Sequence, residues 1–96
     1  MSLFDKPLTV LESVTQSKIL EYAQRRGWWA IKVETRSIRG VMDTYCLRRG
    51  RHVWIEVKRE GEGPRLQQAK RIKEVQDHGG EAYAVDSMEA AMEILR

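Results

Sequence analysis

The run His52–Lys58, reading HVWIEVK, alternates strictly between apolar and other side chains. In an extended strand Val53, Ile55 and Val57 fall on one side, and Trp54, Glu56 and Lys58 on the other. A period of two sustained over this run is incompatible with a helix, so the chain must build a sheet with at least one buried face. Arg49-Gly50-Arg51, just before it, is a hairpin signal joining this strand to a second run, Asp43–Arg48. Upstream, Trp28–Glu34 alternates again, with Trp29, Ile31 and Val33 on one side, and reads as a third strand.

Helical patterns flank this meander. From Val10 to Arg26, Leu11, Val14, Thr15, Ile19, Tyr22 and Ala23 share one broad face at 100° per residue, and Gly27 is a natural helix end. Glu12 lies at the margin of that face, where it can look along the edge of the core. After the break at Gly61–Pro64, Leu66, Ala69, Ile72 and Val75 recur at helical spacing until Gly79-Gly80. Ala82–Val85 is a short strand. Asp86 and Glu89 have the spacing of a capping box for a last helix running through Leu95. The order is α-β-β-β-α-β-α. A helix of this length between strands three and four permits a crossover, so strand four is expected parallel to strand three. The fold class is α/β: a mixed β-sheet flanked by helices.

Length and composition narrow the chemistry. Ninety-six residues suit one domain with a modest core. One cysteine and two histidines exclude a disulfide framework and a zinc finger. No stretch approaches the roughly 20 apolar residues of a membrane span. Met1–Pro7 lacks the basic start and apolar run of a signal peptide. The expectation is a soluble, cytoplasmic protein with no membrane partner. Charge is unevenly placed: residues 48–73 hold nine Lys/Arg against three acidic residues, and residues 74–96 hold one against six. A basic centre beside an acidic tail points to a polyanionic partner, although two solvated faces of opposite sign would give the same count.

The anomalous residues are the acids inside apolar strands. Glu56 and Lys58 share a strand face, and a tight hairpin can bring Asp43 alongside Glu56. Two carboxylates at a strand end, with a backbone carbonyl, suit Mg²⁺ or Mn²⁺, which prefer oxygen donors. A neighbouring lysine can orient a water or counter charge at phosphorus. A lone Glu-x-Lys is more commonly an ordinary ion pair on a sheet face.

The wider pattern weighs against that ordinary reading. Gly40-Val41-Met42-Asp43, then Glu56-Val57-Lys58, then Gln67 in Pro64-Arg65-Leu66-Gln67, with Glu12 fifteen residues before Gly27, resembles the VRR-NUC family of the PD-(D/E)xK nuclease superfamily. The resemblance spans Leu11 to Ser87 and departs from the family at Met42, where a proline usually restrains the turn. It implies an αβββαβ core of the restriction-endonuclease-like type and metal-dependent DNA endonuclease activity. It implies that Asp43, Glu56 and the Val57 carbonyl hold the metal, that Glu12 contacts it directly or through water, and that Lys58 positions the attacking water. Gln67 would steady Lys58 or the scissile phosphate; the adjacent Gln68 could fill that role instead, though the family register favours Gln67. Stand-alone members of the family are linked to branched DNA such as Holliday junctions, and the superfamily generally leaves 5′-phosphate ends. A catalytically inactive nucleic-acid-binding module, and a restriction-type or RNA-directed nuclease, are the alternatives.

Arg36, Arg39, Arg48, Arg49, Arg51, Arg59 and Arg65 flank these motifs and are candidate DNA contacts. Trp28, Trp29 and Trp54 could stack on bases but are more commonly core or interface residues. His52 and His78 read as surface residues, and Cys46 as a small buried hydrophobe. Paired cuts at a junction require two active sites, so a twofold homodimer is expected. The tryptophans and a final helix bearing Met88, Ala91, Met92 and Leu95 offer apolar surface for it, unless that helix caps its own sheet.

Overall fold

A computed structural model of the chain describes residues 11–35 and 37–96. Its elements are α1 (Glu12–Arg25), β1 (Trp29–Lys32), β2 (Thr44–Arg48), β3 (Arg51–Val57), α2 (Leu66–Asp77), β4 (Glu81–Val85) and α3 (Met88–Ile94). The sheet order is β1-β2-β3-β4. The first two pairings are antiparallel, and β4 lies parallel to β3 after the α2 crossover, as the sequence requires. No helix among the described residues is long and apolar enough to cross a membrane.

α1 and α3 cover one face of the sheet, and α2 lies on the other against β4. The core sits under α1 and α3. It joins Ile19 and Ala23 to Trp28, Ala30, Cys46, Val53, Ile55, Val57, Val85, Ala91 and Leu95. Trp28 is tied in at both ends: its indole Nε1 donates to the Leu95 carbonyl at 3.0 Å, and the Arg48 guanidinium stacks over its ring at 4.4 Å. α1 ends in a Schellman motif at Gly27, whose φ of +86° lets Trp28 N–H return to the Ala23 carbonyl at 3.0 Å. That turn delivers Trp28 into the core.

Three local points are decided by the packing. In β1 the side carrying Trp29 and Ile31 faces outward, while Trp28 and Ala30 fill the core. The small Ala30 lets α1 approach the sheet, and the wider apolar side is left on the face that α2 does not cover. On α1 the buried stripe is Gln16, Ile19 and Ala23, whereas Leu11 and Val14 are exposed. The first turn overhangs the strand ends, where a polar side chain is needed. The cap of α3 is Ser87, whose hydroxyl accepts from Ala90 N–H at 3.1 Å. Asp86 instead accepts from Gly61 N–H at 2.9 Å, fastening the 58–65 loop.

The long β1–β2 connection is held against the start of α2. Gly40 has a φ of +78°, and a Cβ there would come within 2.5 Å of the Gln67 carbonyl oxygen. The Arg71 Nε donates to the Arg39 carbonyl at 3.0 Å. Gly40→Ala therefore combines left-handed backbone strain of about 1 kcal/mol with a backbone clash. It should lower the melting temperature by several degrees. A thermal denaturation curve superimposable on wild type would show that this contact is not needed.

Candidate active site

The β2–β3 ladder ends at the Thr44–Ile55 pair, but β3 runs on through Glu56 and Val57. Asp43, just before β2, fills the gap with its side chain. Its carboxylate accepts from Val57 N–H at 3.3 and 3.4 Å. This interaction places Asp43 beside Glu56 on the α2 side of the sheet. The N–H and C=O of one strand residue point the same way, so the Val57 carbonyl is also directed toward Asp43. Asp43, Glu56 and Val57 thus converge at the ends of β2 and β3.

Both helical layers buttress the pair. From α1, the buried Gln16 donates through Nε2 to the Asp43 carbonyl at 2.8 Å and to Thr44 Oγ1 at 3.0 Å. Because Thr44 Oγ1 accepts from Gln16, its own proton is free for Asp43 Oδ1, 2.9 Å away. From α2, Gln68 Nε2 donates to Glu56 Oε2 at 2.9 Å while its carbonyl oxygen caps Arg65 N–H at 2.9 Å. Lys58 Nζ lies 3.7 Å from the same Glu56 Oε2. Glu56 and Lys58 are only 5% and 8% exposed, and the turn residue Met42 is buried as well.

The electrostatics fit a cation site. Burial, then the neighbouring Asp43 and Glu12 charges, push the Glu56 carboxyl up to about 7, against the lowering influence of Lys58. Burial also raises Asp43, opposed by its hydrogen bonds to Thr44 and Val57. Two desolvated carboxylates held together are destabilised as anions, and a divalent cation would relieve that. No three His, Cys, Asp or Glu side chains cluster closely enough among the described residues to form an all-side-chain site. Two carboxylates and one carbonyl, with water completing the shell, are a donor set that Mg²⁺ accepts. Glu12, in the first turn of α1, acts on both carboxylates through charge.

The glutamine that reaches the site is Gln68. Gln67, favoured by the family register, is exposed, and its backbone carbonyl abuts Gly40. The helix begins at Leu66, which makes Gln68 its third residue and turns it toward the sheet. Gln16 and Thr44 carry no motif. Their only signal in the sequence is a polar residue on the apolar side of a helix and another at the start of a strand.

The candidate arginines separate into two groups. Arg48, Arg49 and Arg51 lie at the hairpin end, six strand steps from Val57, which is on the order of 20 Å. Arg48 donates to the Arg26 carbonyl at 2.9 Å and also to the Arg96 carbonyl. Arg51 makes a bidentate pair with Glu81 at 2.6 and 2.8 Å. Both are therefore engaged in holding the fold. Arg39 and Arg65 line a cleft at the carboxylate end, and Arg59 follows Lys58 directly. Arg36 lies outside the described residues.

Among solved structures, the chain matches one described as a VRR_NUC domain with a TM-score of 0.79 at 22% identity, over 86% of this chain and 91% of that one. The chain thus has the mixed α/β fold of a VRR_NUC domain. No family model matches the sequence. No curated protein matches it either.

The raised Glu56 carboxyl predicts a pH dependence. Between the ordinary 4.5 and about 7, the folded metal-free chain binds more protons than the unfolded one. Stability should therefore fall as pH rises through that window, by on the order of 3 kcal/mol if no other group compensates. Denaturant melts in EDTA at pH 5 and pH 8 measure this, and Glu56→Gln should flatten the profile. A metal-free chain more stable at pH 8 than at pH 5 would contradict the assignment.

Proposed function

We propose that the chain is a Mg²⁺- or Mn²⁺-dependent DNA endonuclease of the VRR-NUC type, acting on branched DNA. The observation that carries this reading is the convergence of Asp43, Glu56, the Val57 carbonyl and Lys58 at the ends of the two central strands, within a fold shared with a VRR_NUC domain. Asp43, Glu56 and Val57 would hold the cation, with Glu12 contributing through an intervening water. When bound, the cation supplies Lewis-acid activation at the phosphodiester. Lys58 orients the attacking water and offsets charge developing at phosphorus. Gln68 keeps Glu56 facing the site. Attack at phosphorus breaks the bond to the 3′ oxygen, leaving a 5′-phosphate and a 3′-hydroxyl.

A C2 homodimer would present two such sites to a junction. α3 offers it little, since Ala91 and Leu95 are buried in their own core and Met88 packs against it. The open face of the sheet is better suited. There Trp29 is 57% exposed, Tyr45 meets it edge-on at 6.1 Å, and Trp54 lies 4.8 Å beyond Tyr45. Ile31 pairs across the strands with Tyr45, extending the apolar row. A second copy laid on this row would cover it. A cytoplasmic location suits a protein with this substrate.

Four-way, flap, nicked and linear DNA incubated with Mg²⁺ or Mn²⁺ test the activity. Asp43→Asn and Glu56→Gln should lower divalent affinity, read by calorimetry, and cleavage together by about 100-fold. Lys58→Ala should lose about as much turnover while keeping its metal affinity. Wild-type cleavage by either carboxylate variant would sink the reading. Light scattering should give about twice the 11.2 kDa chain mass, and Trp29→Ser with Trp54→Ser should halve it. A wild-type chain that stays monomeric at high micromolar concentration would rule out the dimer.

A further inference from the structure

Beside the carboxylate site lies a cleft of about 830 Å³ between residues 33–35 and 38–41 on one side and the start of α2 on the other. Its walls are unusual for a water-facing groove. Leu66 is 84% exposed and Ile38 is 51% exposed, and neither packs into the core. Val33 and Val41 continue the apolar lining, and Arg39 and Arg65 bring two cations to it. Neither guanidinium forms an ion pair among the described residues. The one acid in the lining, Glu34, pairs with Lys32 at 3.2 Å. Gln68 closes the inner end, lining the cleft while donating to Glu56 Oε2. The cleft therefore adjoins the candidate metal site across Gln68.

Apolar walls with flanking guanidiniums match an unpaired nucleotide. A base splayed out of the stack needs an apolar surface, and its two phosphates need cations. A paired duplex holds its bases inside and could use only the arginines. Gly40 fixes the width of the cleft, because its backbone lies directly on Gln67 and leaves no room for a side chain there. We propose that this cleft is a subsite for one unpaired nucleotide next to the scissile phosphate, gripped between Ile38 and Leu66 with Arg39 and Arg65 on its phosphates. The inference rests on DNA being the substrate. It explains how a small domain selects branched DNA, since only DNA with an unpaired nucleotide near the branch fills both the cleft and the carboxylate site.

The test uses the full chain in EDTA, where no cleavage is required. The sole cysteine, Cys46, is fully buried and its thiol is pushed up to about 11, so Leu66→Cys introduces a single reactive thiol. The probe is a forked DNA whose first unpaired base carries a disulfide tether, compared with a fully paired duplex bearing the same tether. The fork should cross-link to Leu66→Cys and the duplex should not, and Met92→Cys, exposed on α3, should capture neither. In fluorescence anisotropy, Ile38→Ser with Leu66→Ser should reduce the preference for fork over duplex by about tenfold. Equal cross-linking of fork and duplex, or an unchanged preference, would overturn the proposal. A disulfide between two Leu66→Cys chains would overturn it too, by showing a second copy in the cleft. Loss of the cross-link with Asp43-dependent cleavage intact would sink the subsite alone, whereas cleavage by Asp43→Asn would sink the nuclease reading.

Discussion

The hydrogen bond from Val57 N–H to the Asp43 carboxylate is the interaction on which the site depends. β3 outruns β2 by two residues, and a strand end without a partner would leave a buried N–H unsatisfied. Asp43 meets that need with its side chain where a strand would have used its backbone. The same substitution of side chain for backbone brings a second acid to Glu56. Structural necessity and candidate chemistry thus fall on one carboxylate, and Asp43 accepts like-charge repulsion in return for completing the sheet.

The repulsion is contained by neutral donors rather than by a ring of cations. Gln16 and Thr44 hold Asp43 from the α1 face, and Gln68 holds Glu56 from the α2 face. Lys58 is the nearby cation, and at 3.7 Å it touches one oxygen of Glu56. Amides and hydroxyls fix the carboxylates without neutralising them. Their mutual repulsion is thus left uncompensated, as the proposed divalent-ion site requires. The two helical layers reach it from opposite sides of the sheet, at the ends of the central strands β2 and β3.

The two ends of the sheet have been given different work. At the hairpin end, basic residues serve the fold: Arg48 stacks on Trp28 and closes the ends of α1 and the chain, and Arg51 pairs with Glu81. At the carboxylate end, Arg39 and Arg65 remain unpaired among the described residues and face a cleft. Net charge could not distinguish them, because a guanidinium counts the same whether it is committed to a carbonyl or free for phosphate. The open aromatic row of Trp29, Tyr45 and Trp54 occupies the face between these ends that α2 leaves uncovered.

The sequence by itself determined the element order, the antiparallel meander and the parallel fourth strand. Period two and period 3.6 are local consequences of backbone geometry, and the crossover length leaves little choice of direction. It also singled out Asp43, Glu56 and Lys58, because charges in or beside apolar strand runs are visible without coordinates. Tertiary structure alone decided which side of β1 is core, since Trp28 and Trp29 are the same residue type and only the fit of α1 over Ala30 separates them. It likewise chose Gln68 over Gln67, a matter of one step of helix phase set by where α2 begins. Gln16 and Thr44 were illegible for the same reason: their role is a direction of hydrogen bonding across 28 residues of chain, and no local pattern records which donors meet once the layers have packed.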